Sequence, residues 1–395
     1  MRRLLSISTL YPAIGRPGFG RFVGKQMQAL AARSDWDVTV INPIGMPPVP
    51  MKRYAALKAM PESEQQGPVT IHHPRFLLVP GLSGPVNPAL IAHAVLPLAK
   101  RLHAERPFDM IDAQFFYPDG PAAAKVARAL ELPLAIKARG SDIHMWGSRS
   151  WPRRQMIEAA RQSSVLLAVS QALANDMVDL GMPSDRIKVH YTGLDRERFR
   201  PLEREAARQL VSALPSLQIW SEGRLLLCVG ALLAIKGQAL AIRALSSLPD
   251  DVRLAIAGTG ADEGPLKRLV EQLGLESRVH FLGSVEHDIL PHLLCAADVM
   301  VLPSEREGLA NAWIESLACG TPVVIPDIGG SREVVRDASA GRIVERSPEA
   351  IAQAVSELLK DPPSQKAVAA NAERFSWDVN AASLAALYEE AAAKR

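Results

Sequence analysis

At 395 residues the chain is too long for one ordinary core, since domains run roughly 100 to 200 residues, and it is expected to form two. With 48% apolar and 22% charged residues it has the composition of a soluble globular protein, and no stretch approaches the roughly 18 uninterrupted apolar residues of a membrane span. The net charge of +3 hides an asymmetry, because residues 1–195 carry 23 Lys and Arg against 15 Asp and Glu while the remainder carries 22 against 27; an anionic surface or acceptor is expected beside the first half, with no nucleic-acid partner.

The opening MRRLLSISTLYP is read as a strand and not as a signal peptide, because Ser6, Ser8 and Thr9 interrupt its apolar run and no cleavage-type segment follows. Gly15, Gly18 and Gly20 then separate this strand from a helical pattern, and glycines there let backbone approach a ligand closely. The further strands of the first half are DVTVIN, VTIHH, DMIDA, LPLAIKA and VLLAVS. Between Asn42 and Thr70 the Pro- and Met-rich chain reads as a long mobile loop with one helical turn. The run HMWGSRSWPRRQMIEAARQ combines Trp146 and Trp151 with Arg149, Arg153, Arg154 and Arg161, which suits either an anionic membrane surface or lipid-pyrophosphate acceptor, or a partly buried surface helix.

VLLAVS leads into the helix SQALANDMVDLG, then IKVHYTG and the charged segment DRERFRPLERE, which places a junction near residues 190–200. The second half repeats the alternation with strands LLLCVG, VRLAIAG, RVHFLG, DVMVLP, TPVVIP and GRIVE, so both halves read as α/β units around parallel sheets. The tail from Ser376 has helical period behind a serine cap and is expected to pack back across the junction. Cys228, Cys295 and Cys319 lie far apart, and His287 and His292 lack ligand spacing, so no metal site and a reducing cytoplasm are expected.

Chemistry concentrates in three blocks of the second half. In SEREGLANAWIESLACGTPVV, Glu307 precedes and Glu315 lies within a helix expected to begin near Gly308, where Gly308, Leu309, Ala310 and Asn311 would offer first-turn N–H groups to an anion. A carboxylate at Glu315 can accept two charge-assisted hydrogen bonds from a ribose; taken alone, either glutamate also reads as an ordinary solvated helix carboxylate. In LLLCVGALLAIKGQALAIRAL, Gly230 opens a turn after a strand and Lys236 stands where it can meet a phosphate. In VRLAIAGTGADEGPLKRL the spacing of Gly258, Gly260 and Gly264 is not that of a dinucleotide fingerprint.

The Glu-x7-Glu spacing with Ser304, LACGTPVV and Gly329-Gly330 resembles the retaining glycosyltransferase family 4. That resemblance implies a GT-B fold: two Rossmann-like, doubly wound parallel-sheet domains facing an interdomain cleft, with residues 1–195 and the helix 376–395 binding the acceptor and residues 196–375 the nucleotide-sugar donor. It assigns Glu307 to the donor sugar, Glu315 to the ribose, Lys236 to the diphosphate, Gly258 and Gly260 to a strand-loop beside the donor, Phe281, Leu282 and Gly283 to the border of the nucleobase, and Gly18 and Gly20 to the diphosphate. The implied activity is metal-independent transfer, with retention, from a UDP- or GDP-sugar to a lipid-linked or polysaccharide glycan, aided by domain closure and by no other cofactor.

The pattern VGRLxxxKG is matched except that Ala231 replaces its arginine, for which Arg16 or Arg21 could substitute. In QFFYPDG and ARGSDIH, Gln114 and Arg139 replace histidines, so Arg139 is given an electrostatic role, paired with Asp142 or with leaving-group phosphate. An epimerase of the same fold and a nucleotide-sugar-binding protein without catalysis remain the alternative readings.

Overall fold

A computed structural model of the chain describes residues 1–13, 18–49, 51–81, 83–215, 217, 219, 220 and 222–393, with Arg53 described by its backbone alone. Gly15 and Arg16 therefore lie outside the described residues. The chain divides into two units, one made of Met1–Gly193 with Trp377–Arg395 and the other of Leu194–Ser376.

The strands of the first unit are β1 (Arg2–Ile7), β2 (Trp36–Ile41), β3 (Ile44–Met46), β4 (Ser63–Gln66), β5 (Val69–His72), β6 (Arg75–Leu77), β7 (Met110–Ala113), β8 (Leu134–Ala138), β9 (Val165–Ala168) and β10 (Ile187–Val189). Eight of them form one sheet in the order β10-β9-β8-β7-β1-β2-β5-β4, parallel throughout except for the antiparallel edge pair β4 and β5. The interior strands are apolar because helices cover both faces; β7, β8 and β9 are buried at every residue.

The span between Asn42 and Thr70 departs from the loop expected of it. It holds β3, which pairs in parallel with β6, and β4, as well as a helical turn at Ala55–Lys58. The β4 sequence Ser-Glu-Gln-Gln has no apolar residue and lies at the sheet edge, where one face stays wet, so the usual strand signal is absent.

The second unit contains β11 (Arg224–Val229), β12 (Val252–Ala257), β13 (Val279–Gly283), β14 (Val299–Val301), β15 (Val323–Pro326) and β16 (Gly341–Val344). They form a wholly parallel sheet in the order β13-β12-β11-β14-β15-β16, the doubly wound arrangement in which the winding direction reverses between β11 and β14. Its core joins Leu226, Cys228, Leu254 and Ile256 of the strands to Ile242, Leu245, Val355 and Leu358 of helices Gln238–Leu245 and Pro348–Lys360. Helix starts are fixed locally, as where the Ser347 hydroxyl accepts the Ala350 N–H at 3.2 Å.

The terminal helix Trp377–Ala393 belongs to the first unit and buries Asn380, Ala381, Leu384, Ala385, Tyr388 and Ala391, one face at helical spacing. Tyr388 packs edge-on to Trp36 at 5.9 Å and donates its hydroxyl to Asp112, while Asn380 donates to the Tyr191 carbonyl at 2.6 Å. Among the described residues no helix is long and apolar enough to cross a membrane.

Candidate functional site

The winding reversal of the second sheet brings together the loops that follow β11 and β14, because the two strands leave in opposite winding directions and open a crevice at their carboxyl ends. After β11 the chain turns at Gly230, at a φ of 156° that residues with a side chain rarely adopt, and makes a short helical turn at Ala234–Lys236 that ends on Gly237. Gly237 has φ 73°, and a Cβ there would lie 2.2 Å from the Pro303 carbonyl oxygen, so only glycine lets this turn sit on the end of the β14 segment. Glu305 N–H donates to the Ile235 carbonyl at 2.7 Å across the same contact. As a result Lys236 Nζ donates to Glu307 Oε1, a pair of side chains exposed by only 22% and 13%.

The helix expected near Gly308 begins at Asn311 and runs to Ala318. Ala310 is its N-cap, with ψ 123° and no side-chain cap, and Gly308 and Leu309 form a turn ahead of it, so first-turn amides come from Asn311 onward. Gly308, Leu309 and Ala310 are buried, and no hydrogen bond from the amides of Gly308 through Ala312 is present among the described residues. Buried main-chain N–H groups without acceptors are uncommon, and a row of them beside a lysine at a helix start suits an anion.

The turn is held from below by the following loop. Gly329 has φ 47°, its missing Cβ would stand 2.1 Å from the Glu307 carbonyl oxygen, and Gly330 N–H donates to the Gly308 carbonyl at 2.9 Å. Ser304, fully buried at the start of the turn, has a hydroxyl oxygen without a partner. Glu315 lies one helical turn beyond Asn311, largely buried, and burial pushes its carboxyl up to about 7.

Gly258 and Gly260 act in this unit as packing residues. A Cβ at Gly258 would lie 1.9 Å from the Gly230 carbonyl oxygen and one at Gly260 2.2 Å from that of Leu232, which lets the loop after β12 press on the loop after β11. Gly283 accepts the Gly258 N–H at 2.7 Å, Leu282 is buried, and the Phe281 ring lies 5.6 Å beneath Lys267 Nζ. Ala231 is exposed, and its carbonyl accepts the Gln238 amide at 2.9 Å.

Gly18, Gly20 and Arg139 belong to the first unit. Gly20, at φ 69°, precedes helix Arg21–Ala31, and a Cβ there would strike the Leu10 carbonyl at 2.6 Å, whereas a Cβ at Gly18 would meet nothing within 4 Å among the described residues. The pairing of Arg139 with Asp142 is not formed. The Asp142 carboxylate instead accepts the backbone N–H groups of Arg139, Gly140 and Ile143, which the tight turn after β8 aims at it, and that of Phe116 from the loop after β7. The Arg139 guanidinium donates to the Gln114 carbonyl at 2.9 Å and to Gln114 Oε1 at 2.6 Å and stacks 4.7 Å over Phe22. Burial lowers its pKa to about 10, still far above neutrality.

Sequence reading missed the neighbours of this arginine. Lys137, buried within β8, donates to Gln26 Oε1 at 3.1 Å and faces His190 Nδ1, while His190 Nε2 faces the Asn380 carbonyl at 2.9 Å. Burial, then the charge of Arg139, drives the Lys137 ammonium well below its usual range; burial, then Lys137, does the same to His190. A lysine inside an apolar strand was the signal available for this cluster.

Comparison with known proteins agrees with this architecture. Residues 18–198 match the model of Glycosyltransferase Family 4 and residues 214–375 that of Glycosyl transferases group 1. A Bacillus subtilis glycosyltransferase, TuaC, ascribed to teichuronic acid biosynthesis, is 31% identical over 363 residues, covering 89% of this chain and 88% of its own. A D-inositol 3-phosphate glycosyltransferase of Salinispora tropica is 31% identical over 269 residues, 63% of this chain and 56% of that protein. Anabaena HepE, crystallised with UDP and glucose, superposes with a TM-score of 0.74 at 21% identity, covering 98% of this chain and 100% of that one. The chain therefore belongs to the family 4 glycosyltransferases and has their GT-B fold of two parallel-sheet α/β units.

Proposed function

We propose that the unit Leu194–Ser376 holds a nucleotide diphosphate sugar, with the diphosphate at Lys236 and the Gly308–Ala312 amides, the sugar at Glu307 and the ribose at Glu315. The observation that carries this reading is the row of amides at buried Gly308, Leu309 and Ala310 and half-buried Asn311 and Ala312, which have no acceptor among the described residues and lie beside the Lys236–Glu307 pair. In the free protein each of these side chains occupies the other; a bound donor would take the ammonium onto phosphate oxygen and free the carboxylate for sugar hydroxyls. UDP in the HepE crystals supports a uridine donor, with GDP-sugars the second class to test.

In the proposed reaction an acceptor hydroxyl oxygen forms a bond to the anomeric carbon as the bond from that carbon to the β-phosphate oxygen breaks. The hydroxyl proton passes to the departing phosphate on the same face, so configuration is retained. Lys236 and the fixed amides stabilise the charge that grows on the leaving diphosphate, which assigns the reaction no cofactor other than its donor. The basic first unit receives a glycan or lipid-linked acceptor at the inner face of the membrane. Trp151, 46% exposed on helix Ser150–Gln162, which also carries Arg154 and Arg161, supports contact with an anionic surface.

Thermal unfolding of the purified protein against UDP-, GDP- and ADP-sugars tests the donor. A true donor at about 100 times its dissociation constant adds roughly 2.7 kcal/mol of stability. Stabilisation by none of them removes the proposal, and an isomerised nucleotide sugar released without acceptor would replace transfer by epimerisation.

A further inference from the structure

The first unit has its own winding reversal, between β1 and β7, and a cavity of about 240 Å³ lies near the carboxyl ends of β1 and β2. Its lining includes Thr9, Tyr11, Asn42 and Asn87 together with Ile44, Leu57 and Phe76. Three of these residues carry buried polar atoms with no partner among the described residues: the Tyr11 hydroxyl, Asn42 Oδ1 and Asn87 Oδ1. Asn42 is only 1% exposed, and its Nδ2 reaches the Tyr11 carbonyl at 3.5 Å, so its carbonyl oxygen is buried with nothing to accept from. Each such atom costs free energy unless something donates to it, and hydroxyl groups are suited to do so.

Tyr54 is shared between this cavity and a second depression of about 460 Å³. The lining of that depression includes Met46, Val49 and Met51 together with Lys52 and Lys58. Val49 and Met51 are 61% and 38% exposed, and neither lysine forms an ion pair among the described residues. At Tyr54 a cavity of mixed polarity thus borders a largely apolar groove whose two lysines form no ion pair among the described residues. The groove is built by the same segment, β3 with the helical turn Ala55–Lys58, that the sequence presented as a loop.

We infer that the acceptor is an amphiphile whose hydroxyl-bearing head enters the Tyr11, Asn42 and Asn87 cavity, whose phosphate meets Lys52 and Lys58, and whose apolar chain lies along Met46, Val49 and Met51. The cavity has room for one sugar-sized head and not for an extended glycan, and a soluble acceptor would leave the groove unused. This rests on the transferase reading and narrows its acceptor to a lipid-linked one.

The test uses the full chain and three submicellar probes: dodecyl-phosphoryl-glucose, dodecyl glucoside without the phosphate, and glucose 1-phosphate without the chain. Dodecyl-phosphoryl-glucose should bind at least about tenfold more tightly than either of the others, a step of about 1.4 kcal/mol. Val49→Asp should abolish the gain from the chain, the double change Lys52→Ala and Lys58→Ala the gain from the phosphate, and Asn42→Leu the contribution of the head. Val49 is exposed, so its change leaves the fold intact, which an unchanged melting temperature verifies.

Equal binding of glucose 1-phosphate and the dodecyl conjugate overturns the inference, as does a Val49→Asp variant that binds the conjugate normally. So does binding of phosphatidylglycerol vesicles, blocked by Val49→Asp, without binding of the submicellar conjugate, since the groove would then be a membrane contact. Thermal stabilisation by UDP is measured on the same samples. UDP binding without conjugate binding removes this inference alone, and absence of UDP binding removes the donor reading instead.

Discussion

Glu315→Gln separates the energetics of the donor site from its chemistry. The folded protein holds the Glu315 carboxyl at about 7, against 4.5 for an ordinary glutamate, because burial disfavours its charge. At 1.36 kcal/mol per unit, ionising it in the folded state costs about 3 kcal/mol more than in the unfolded chain. A raised acid pKa makes the unfolded chain lose this proton first, so the penalty is absent below about pH 4, grows through the interval to about 7, and is complete by about pH 8. Glutamine keeps the shape without the charge and escapes the penalty. Glu315→Gln should therefore gain up to about 3 kcal/mol at pH 8, roughly 6 to 12 °C in melting temperature for a unit of this size, and almost nothing near pH 4.5. The assay is differential scanning calorimetry of both proteins across that pH range without nucleotide. The same variant should bind the donor more weakly, because an amide oxygen cannot supply the two charge-assisted bonds that a carboxylate can. A melting-temperature difference that is flat with pH, or a variant less stable at pH 8, would refute the reasoning.

Lys236→Ala should lower turnover by about 10²- to 10³-fold in steady-state transfer assays, the scale of losing one preorganised donor, and a near-normal rate would remove the lysine from the reaction. Affinity for an intact nucleotide sugar should rise between pH 6 and pH 8, by at most about tenfold, as the Glu315 carboxylate ionises; calorimetric titrations that show no dependence would release the ribose from Glu315. Gly329→Ala places a methyl 2.1 Å from the Glu307 carbonyl oxygen at φ 47°. It should cost about 1 to 3 kcal/mol in urea unfolding and weaken donor binding, and a neutral outcome would mean that the loop does not support the turn.

The sheet strands of the second unit were legible because a parallel sheet covered on both faces demands near-continuous apolar runs, as in Val323–Pro326, where every residue is buried. β4 was illegible because an edge strand of Ser-Glu-Gln-Gln carries no such run. The start of the helix at Asn311 carried no cap residue to mark it, since Ala310 offers no side-chain acceptor, and the glycine at 308 serves the turn before it. Lys236 and Glu307 are 71 positions apart, and only the winding reversal between β11 and β14 brings them together. Sequence proximity also misled: Asp142 is three residues from Arg139, yet its carboxylate is committed to three amides of its own turn and to the Phe116 amide of the loop after β7. The cavity at Asn42 was hidden because neither asparagine lies in a motif, and their unpartnered oxygens exist only once the chain is folded.

Titration calorimetry of UDP and GDP into the wild-type chain and into Lys236→Ala tests the central claim most directly. The account predicts one saturable site for one of the two nucleotides, weakened at least about tenfold in the variant, as loss of a hydrogen bond between charged groups requires. Equal affinity in the two proteins, or no binding of either nucleotide to the wild type, would contradict it.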